Sequence, residues 1–156
     1  CGVQEESLYI GETEILWYFK GCKKVTLSGN MQNVRFLKQF AYITNLTIKS
    51  DSDLSEVIEN LGSNKSLISV KNLYIEAAHL GYFYERDLYS MKNIETFELH
   101  CADNNLELNI DNFDYFPKLK KVVIKVNDDL AKDICIQIPI WRGKNDDLEI
   151  VVGNIL

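Results

Sequence analysis

Residues 91–105 have the sequence MKNIETFELHCADNN, in which the apolar residues Ile94, Phe97 and Leu99 are separated by three and then two positions. The same spacing recurs in five other segments, at 22–27, 43–48, 70–75, 119–124 and 145–150. The six copies together have 18 positions at which the pattern requires an apolar residue, and 17 of them hold one. The 46% hydrophobic content of the chain would place apolar residues at only about eight of these positions by chance. The chain is therefore predicted to consist of an internal repeat.

The central residues of the six copies are Val25, Leu46, Leu73, Phe97, Val122 and Leu148, which lie 21 to 27 residues apart. This spacing falls in the range of about 20–29 residues for leucine-rich repeats, and the chain resembles that family over about residues 8–152. The resemblance implies an α/β solenoid, with a leucine-rich-repeat-like curved parallel sheet on its concave side and helices and irregular connectors on its convex side. Repeat strands are expected near 24–28, 45–49, 72–76, 96–100, 121–125 and 147–152, with a capping strand at 7–10, in a single domain covering residues 1–156.

The connectors between the strands show helical periodicity. The clearest pattern begins after cap oxygens at 51–53 and ends at Gly62. A last helix, with Cys135 on its apolar face, is expected to begin at the acidic pair 128–129 and to end at Pro139. Shorter helical patterns lie at 13–19 and 34–41, and alternation at 106–110 predicts a short strand on the outer side.

Equivalent positions in the six copies form columns across the predicted sheet, and two further columns bear on its turns. The first lies two residues after the last apolar residue of each copy, for example Cys101 after Leu99. Its members are small or slim, as an inward column requires: Gly29, Ser50, Ala77, Cys101, Val126 and Val152. The next column is mixed and holds Asn30, Asp51, Ala78, Ala102, Asn127 and Gly153, so a continuous asparagine ladder is absent and irregular turns are expected.

The overall charge bears on the kind of partner. A net charge of −6 over 156 residues argues against nucleic acid or an anionic membrane, because phosphate is bound mainly by lysine and arginine. A protein partner, especially a basic one, fits this balance better. No apolar run approaches the roughly 20 residues of a transmembrane segment.

The four cysteines have no metal-type spacing. Cys22 and Cys101 occupy inward repeat positions and are interpreted as small core residues. Cys1 has two interpretations: it is the acylated N-terminal residue of a mature lipoprotein, or the sequence begins there arbitrarily. In the first case the protein belongs to the cell envelope or is secreted with a lipid anchor, and otherwise we expect it in the cytoplasm.

No catalytic or cofactor motif is present in the sequence. His79 and His100 are the only histidines, and strand alternation places His100 and Cys101 on opposite faces of one strand, so they cannot ligate one metal ion together. We therefore expect no enzyme, no metal site and no cofactor.

Alternation also identifies the side chains on the concave face. The expected partner-binding residues are Lys49, Tyr74, Glu76, Glu98, His100 and Lys125, of which four should form one lateral row: Lys49, Glu76, His100 and Lys125. A solenoid leaves this face uncovered, and it is the usual contact surface of such proteins. The alternative is a solvated face whose charged side chains only pair with each other. Each such exposed pair would stabilise the fold by about 0–1 kcal/mol.

A second candidate surface is the aromatic loop that contains Tyr82, Phe83, Tyr84 and Tyr89. Exposed aromatic residues are common interface anchors, but a packing role beneath the connectors is the favoured interpretation. Trp17 and Trp141 are likewise expected to be packing residues.

The sequence as a whole predicts a protein–protein interaction module that binds its partner on the concave sheet face. The alternative is a secreted or lipid-anchored inhibitor of the immunity type, which blocks a basic enzyme or toxin. The last copy has Asn145 at an apolar position and lacks an evident polar cap, so either a homodimer contact or a longer parent chain is expected to cover it.

Overall fold

The computed structural model describes residues 8–10, 23–28, 42–143 and 147–155. These residues form β1 (Leu8–Ile10), β2 (Lys24–Ser28), β3 (Asn45–Asp53), α1 (Ser55–Gly62), β4 (Asn72–His79), β5 (Tyr82–Tyr84), β6 (Thr96–Cys101), β7 (Glu107–Asn109), β8 (Lys121–Val126), α2 (Asp128–Arg142) and β9 (Glu149–Asn154). Two 3₁₀ segments, Lys65–Ser69 and Glu85–Leu88, lie between them. The predictions for Cys1, Trp17, Cys22, Gly29, Asn30, Asn145 and the helical patterns at 13–19 and 34–41 fall outside the described residues.

The main sheet has seven strands in the order β1-β2-β3-β4-β6-β8-β9, and every neighbouring pair is parallel. The sheet is not closed into a barrel, since β1 and β9 are its edges. The predicted parallel α/β class is therefore confirmed. Strands β5 and β7 are not part of the main sheet, and they pair with each other in a separate two-stranded parallel sheet.

Equivalent positions of the repeat face each other across the main sheet. The register partners in successive strands are Val25, Leu46, Leu73, Phe97 and Val122. The alignment of the last copy was wrong, because Val122 pairs with Ile150 and not with Leu148. Leu148 is buried ahead of β9, and its carbonyl accepts a hydrogen bond from Arg142 Nε at 3.3 Å, outside the sheet ladder.

The predicted inward column of small residues is confirmed in the middle of the sheet and wrong at its last member. Ser50, Ala77 and Cys101 are register partners, and together with Val126 they are 7% exposed or less. Val152 does not belong to this column, because Val126 pairs with Asn154. Cys101 has a free thiol in this column, which confirms its core role. Burial raises the pKa of the Cys101 thiol above its usual value, so the group stays neutral there.

The small sheet forms an outer layer over the main one. Phe83, at the centre of β5, is buried and stacks on Phe97 of β6 with 5.3 Å between ring centroids. The predicted outer strand at 106–110 is present as β7. Phe113 and Trp141 meet edge to face at 5.5 Å and are both buried, which confirms the packing role of Trp141.

Helix α1 begins and ends as the sequence predicts. Asp53 Oδ1 accepts hydrogen bonds from the Ser55 backbone N at 2.9 Å and from Ser55 Oγ at 2.8 Å, so one of the expected cap oxygens satisfies the helix start. The predicted end at Gly62 is confirmed, because Gly62 is the last helical residue. A side chain there would overlap the backbone carbonyl of Asp87, so glycine permits α1 to pack against the 3₁₀ segment Glu85–Leu88.

Helix α2 corrects three details of its prediction. Its cap is Asn127, whose side-chain oxygen accepts from the Leu130 backbone N at 3.0 Å, and the acidic pair 128–129 lies in the first turn. Pro139 lies inside the helix, which continues to Gly143, a residue with a φ of +42°. Cys135 is exposed, because the buried face of α2 is set by Ala131, Ile134 and Trp141, which leave position 135 on the solvent side.

A backbone ladder ties the amino ends of the strands together. The carbonyls of Lys23, Thr44, Lys71 and Glu95 each accept two consecutive amide N–H groups from the next repeat, at N···O distances of 2.7 to 3.2 Å. This arrangement repeats four times with the same geometry. It brings residues 21 or more positions apart in the chain into adjacent positions along one edge of the sheet.

Replacing Phe97 with aspartate should unfold the domain. Phe97 is 0% exposed, and an unpaired carboxylate in its place is expected to cost several kcal/mol. The matched control is Thr47→Asp, which places the same group on the other side of the sheet near Lys49 and should change the midpoint of thermal unfolding, measured by circular dichroism, only slightly. Equal melting of the two variants would contradict the inward register.

Gly62→Ala should destabilise the protein by about 1–3 kcal/mol or more, because the added methyl group would meet a backbone carbonyl that cannot rotate away. Gly81→Ala is the control, since a Cβ atom at Gly81 would lie 3.7 Å from Ser55 Oγ, in ordinary contact. Urea unfolding of both variants measures the difference. A Gly62→Ala protein as stable as Gly81→Ala would show that α1 does not pack this closely against the 3₁₀ segment.

Candidate functional site

The side chains on the face of the main sheet opposite the core form two lateral rows, which we call the open face. The rows are Thr26, Thr47, Tyr74, Glu98, Val123 and Val151, and Ser28, Lys49, Glu76, His100, Lys125 and Gly153. The predicted row of Lys49, Glu76, His100 and Lys125 is therefore confirmed by the strand register. Val123 is only 8% exposed, whereas Val151 on the edge strand is 40% exposed.

Tyr74 lies at the centre of the open face and contacts three of the predicted residues. Its hydroxyl donates to Glu76 Oε2 at 3.3 Å, and the same hydroxyl lies 3.4 Å from His100 Nδ1. The Tyr74 and His100 rings pack with their centroids 5.0 Å apart. Lys49 Nζ lies 5.8 Å from the Tyr74 ring centroid and 3.7 Å from Glu76 Oε2, so the ammonium contacts both a π face and a carboxylate.

His100 extends this network to Glu98. Its Nε2 atom is 2.7 Å from Glu98 Oε1, and a carboxylate can only accept, so Nε2 carries a proton. The single Tyr74 hydroxyl proton lies within reach of both Glu76 Oε2 and His100 Nδ1, and it is donated to only one of them at a time.

The hydroxyl of Tyr74 remains a donor at neutral pH. Burial of the ring is the main reason that the pKa of Tyr74 is raised above its ordinary value, and the negative charges of Glu76 and Glu98 add to the effect. We call Lys49, Tyr74, Glu76, Glu98 and His100 the tyrosine cluster. Its side chains hold one another in place.

Lys125 does not join the tyrosine cluster. It follows His100 in the lateral row, but it has no ion-pair partner among the described residues. Gly153 on the edge strand is the register partner of Lys125. A Cβ atom added at Gly153 would lie 3.9 Å from Lys125 Cγ, so the aliphatic part of the Lys125 side chain lies next to the glycine. The structure thus brings five of the six predicted residues together and leaves the sixth beside them.

A cleft of 510 Å³ adjoins the tyrosine cluster at the carboxyl ends of the strands. It is lined by Lys49, Glu76 and His100 together with residues that alternation alone does not identify, including Asp51, Ala102 and Ile155. The signal that could have located it is the position where parallel strands end, since the side chains that follow several strands meet at one edge. The small side chains at Ala77, Ala78 and Ala102 leave room for the cleft.

The aromatic loop divides between packing and surface. Phe83 is buried, as the packing interpretation requires, while Tyr82 and Tyr84 are half-buried and stack on each other at 5.2 Å. Tyr82 donates to Glu59 and Tyr84 donates to Glu107 Oε1 at 3.1 Å, and the Glu59 hydrogen bond raises the pKa of Tyr82 to about 12. Tyr89 is 51% exposed. Tyr82 thus joins β5 to α1 and Tyr84 joins β5 to β7, so both tyrosines are already committed to internal contacts.

Glu85 is a buried carboxyl group that the sequence gives no reason to expect. It is 0% exposed, its Oε2 accepts from the Tyr115 backbone N at 3.2 Å, and its Oε1 has no partner among the described residues. Burial raises the pKa of Glu85 to about 7, and the nearby carboxylates of Asp111 and Asp114 act in the same direction. The loop above it contains two left-handed residues, Asn112 and Phe113.

His100 and Cys101, the adjacent pair with metal-binding chemistry, lie on opposite faces of β6. Cys101 is buried while His100 lies on the open face, as strand alternation requires. Within the described part of the chain, no group of three His, Cys, Asp or Glu side chains is placed to hold a metal ion. Neither α1 nor α2 is long and apolar enough to cross a bilayer.

No protein family, characterised protein or solved structure matches this chain.

The buried Glu85 should make stability depend on pH. The folded state holds its proton up to a pH of about 7, whereas the unfolded chain releases it near 4.5, so the free energy of unfolding should fall as pH rises between these values. The contribution of this group is on the order of 3 kcal/mol over that window. Urea unfolding at a series of pH values measures it.

Glu85→Gln removes the titrating group and should remove this part of the slope. Glu56→Gln, at an exposed position of α1, is the control and should keep the slope of the unaltered protein. A Glu85→Gln variant whose stability still declines as steeply between pH 4.5 and 7 would show that another group carries the pH dependence.

Proposed function

We propose that the chain is a leucine-rich-repeat-like solenoid that acts as a protein-binding module and contacts its partner on the open face. Four kinds of observation support the solenoid. Repeat copies 21 to 27 residues apart are stacked as parallel strands, the strand order follows the chain, core positions align in register, and the same backbone ladder recurs at four junctions. Each repeat then contacts chiefly its neighbours, which is the defining property of solenoids.

The observation that carries the functional proposal is the tyrosine cluster. An aromatic ring with a polar tip is a frequent interface anchor, because it contributes a large contact area and fixes few rotatable bonds on binding. Tyr74 is held by Lys49, Glu76 and His100 before binding, which lowers the entropic cost of ordering it further. A solvated sheet face would need only small polar side chains at this position.

The charges around Tyr74 favour a partner that presents a cationic side chain. Glu76 and Glu98 lie on either side of the ring in the two lateral rows, and the chain as a whole carries −6. A partner arginine that stacks on Tyr74 can form hydrogen bonds with these carboxylates, and its positive charge makes these bonds stronger than those from a neutral donor. Complementary charge of this kind acts mainly on the association rate and on specificity.

The same two carboxylates favour the second candidate function, an inhibitor of the immunity type that blocks a basic enzyme or toxin. In that case the partner is a single protein whose own active surface is cationic. The two proposals share the open face and differ in the identity of the partner and in the effect of binding on its activity.

Affinity capture from source cells should separate the two candidate surfaces of this protein. Immobilised unaltered protein should retain a partner that the double variant Tyr74→Ala/His100→Ala does not retain, because neither side chain supports the core in this register. The binding loss is expected to be at least tenfold, or about 1.4 kcal/mol or more, when the captured partner is titrated by calorimetry.

The matched control is Tyr82→Ala/Tyr84→Ala, which removes the aromatic side chains of the outer loop. It should retain the partner, provided that circular dichroism shows the fold to be intact. Full affinity in the Tyr74/His100 variant together with loss in the Tyr82/Tyr84 variant would move the binding surface to the outer loop and overturn the proposal.

A further inference from the structure

A second surface lies at the amino ends of the strands, away from the tyrosine cluster. A groove of 460 Å³ runs there across the strands, and we call it the lysine groove. It is lined by Lys23, Tyr42, Thr44, Ser69, Lys71, Asn93, Glu95 and Lys118. The repeat explains this arrangement, because the backbone ladder brings Lys23, Thr44, Lys71 and Glu95 side by side.

The floor of the groove is fixed by hydrogen bonds between repeats. Ser69 Oγ donates to the Ile43 carbonyl at 2.7 Å, and Asn93 Nδ2 donates to the Ile68 carbonyl at 2.8 Å. Each bond joins residues about one repeat apart in the chain. The groove is therefore part of the folded scaffold, and its shape does not depend on a flexible loop.

The charge of the groove is opposite to that of the molecule. Lys23, Lys71 and Lys118 are exposed and have no ion-pair partner among the described residues, in a chain of net charge −6. Lys120 lies at the same edge and pairs with Glu95 at 2.8 Å. Among the described residues that line the groove, Glu95 is the only carboxylate.

The lysines of the groove stabilise the ionised form of the Glu95 carboxylate. The Lys120 hydrogen bond and charge lower the pKa of Glu95, and the charges of Lys71 and Lys118 act in the same direction. Three lysines thus stabilise one negative group at this position. Lys71 and Lys118, which do not bond Glu95 directly, are free to bind a second negative group.

The spacing of the lysines fits an extended chain. Lys23, Lys71 and Lys118 belong to the repeats of β2, β4 and β8, which are separated by two strand positions each, or about 10 Å. An extended peptide covers about 10 Å in three residues. Tyr42, which is 67% exposed, offers an aromatic contact at the end of the groove nearest β2 and β3.

We propose that the lysine groove binds an extended acidic segment of a protein, about seven residues long, with carboxylate side chains at every third position. This surface is distinct from the open face and takes a partner of opposite charge. A nucleic acid strand is the competing occupant, and it fits less well because it carries a phosphate at every nucleotide, whereas the lysines are two strand positions apart.

The test uses the full chain and a fluorescein-labelled heptapeptide with glutamate at positions one, four and seven and glycine or serine between them. Fluorescence anisotropy at low salt should show saturable binding that weakens as salt is raised. A heptapeptide with glutamine at the same three positions should bind at least tenfold more weakly. Single-stranded heptathymidylate, labelled in the same way, tests the competing occupant.

The double variant Lys71→Gln/Lys118→Gln should weaken binding of the glutamate peptide by about fivefold to tenfold. The matched control Lys125→Gln/Lys132→Gln removes two lysines elsewhere and should stay within about twofold of the unaltered protein. The Tyr74→Ala/His100→Ala variant should also keep full affinity, which separates this proposal from that for the open face. Absence of saturable binding, an equal loss in the control, or tighter binding of heptathymidylate would overturn the proposal.

Discussion

The in-register stacking of one apolar residue per strand is the constraint on which the rest of the structure depends. Leu46, Leu73 and Phe97 follow each other across the sheet and are each at most 1% exposed. Because side chains alternate with a period of two, a shift of any strand by one residue would bury its polar row and expose its core row. The positions of the tyrosine cluster and of the lysine groove are both consequences of this register.

Most of the strands could be predicted from sequence because each copy of the repeat has polar residues between its apolar ones. The last copy was misaligned for a specific reason: Leu148, Ile150 and Val152 are all apolar, so the pattern fits two registers that differ by two residues. Only the contact of Leu148 with the end of α2 distinguishes them. Local periodicity carries no information about that contact.

For the candidate site, the sequence predicts which side chains share a face of the sheet. It does not predict which of them are in contact. Alternation places Tyr74 and His100 on the same side of adjacent strands, but whether they touch depends on side-chain rotamers that the sequence does not determine. The lysine groove depends on residues just outside the strands, whose neighbours are set by the backbone ladder. Gly62 and Glu85 owe their environments to the 3₁₀ segment and to the 111–115 loop, which have no periodic pattern.

The serial order of the main sheet also has a consequence for how the chain folds. Each strand pairs with a partner roughly 25 residues away in sequence, and no pairing joins the two edges, so every step of assembly closes a loop of similar, moderate length. The pairing of β3 with β4 has the longest register, so we expect the middle of the chain to pair first. In that order the edge strands would join last, and we expect them to be the first to open when the native state fluctuates.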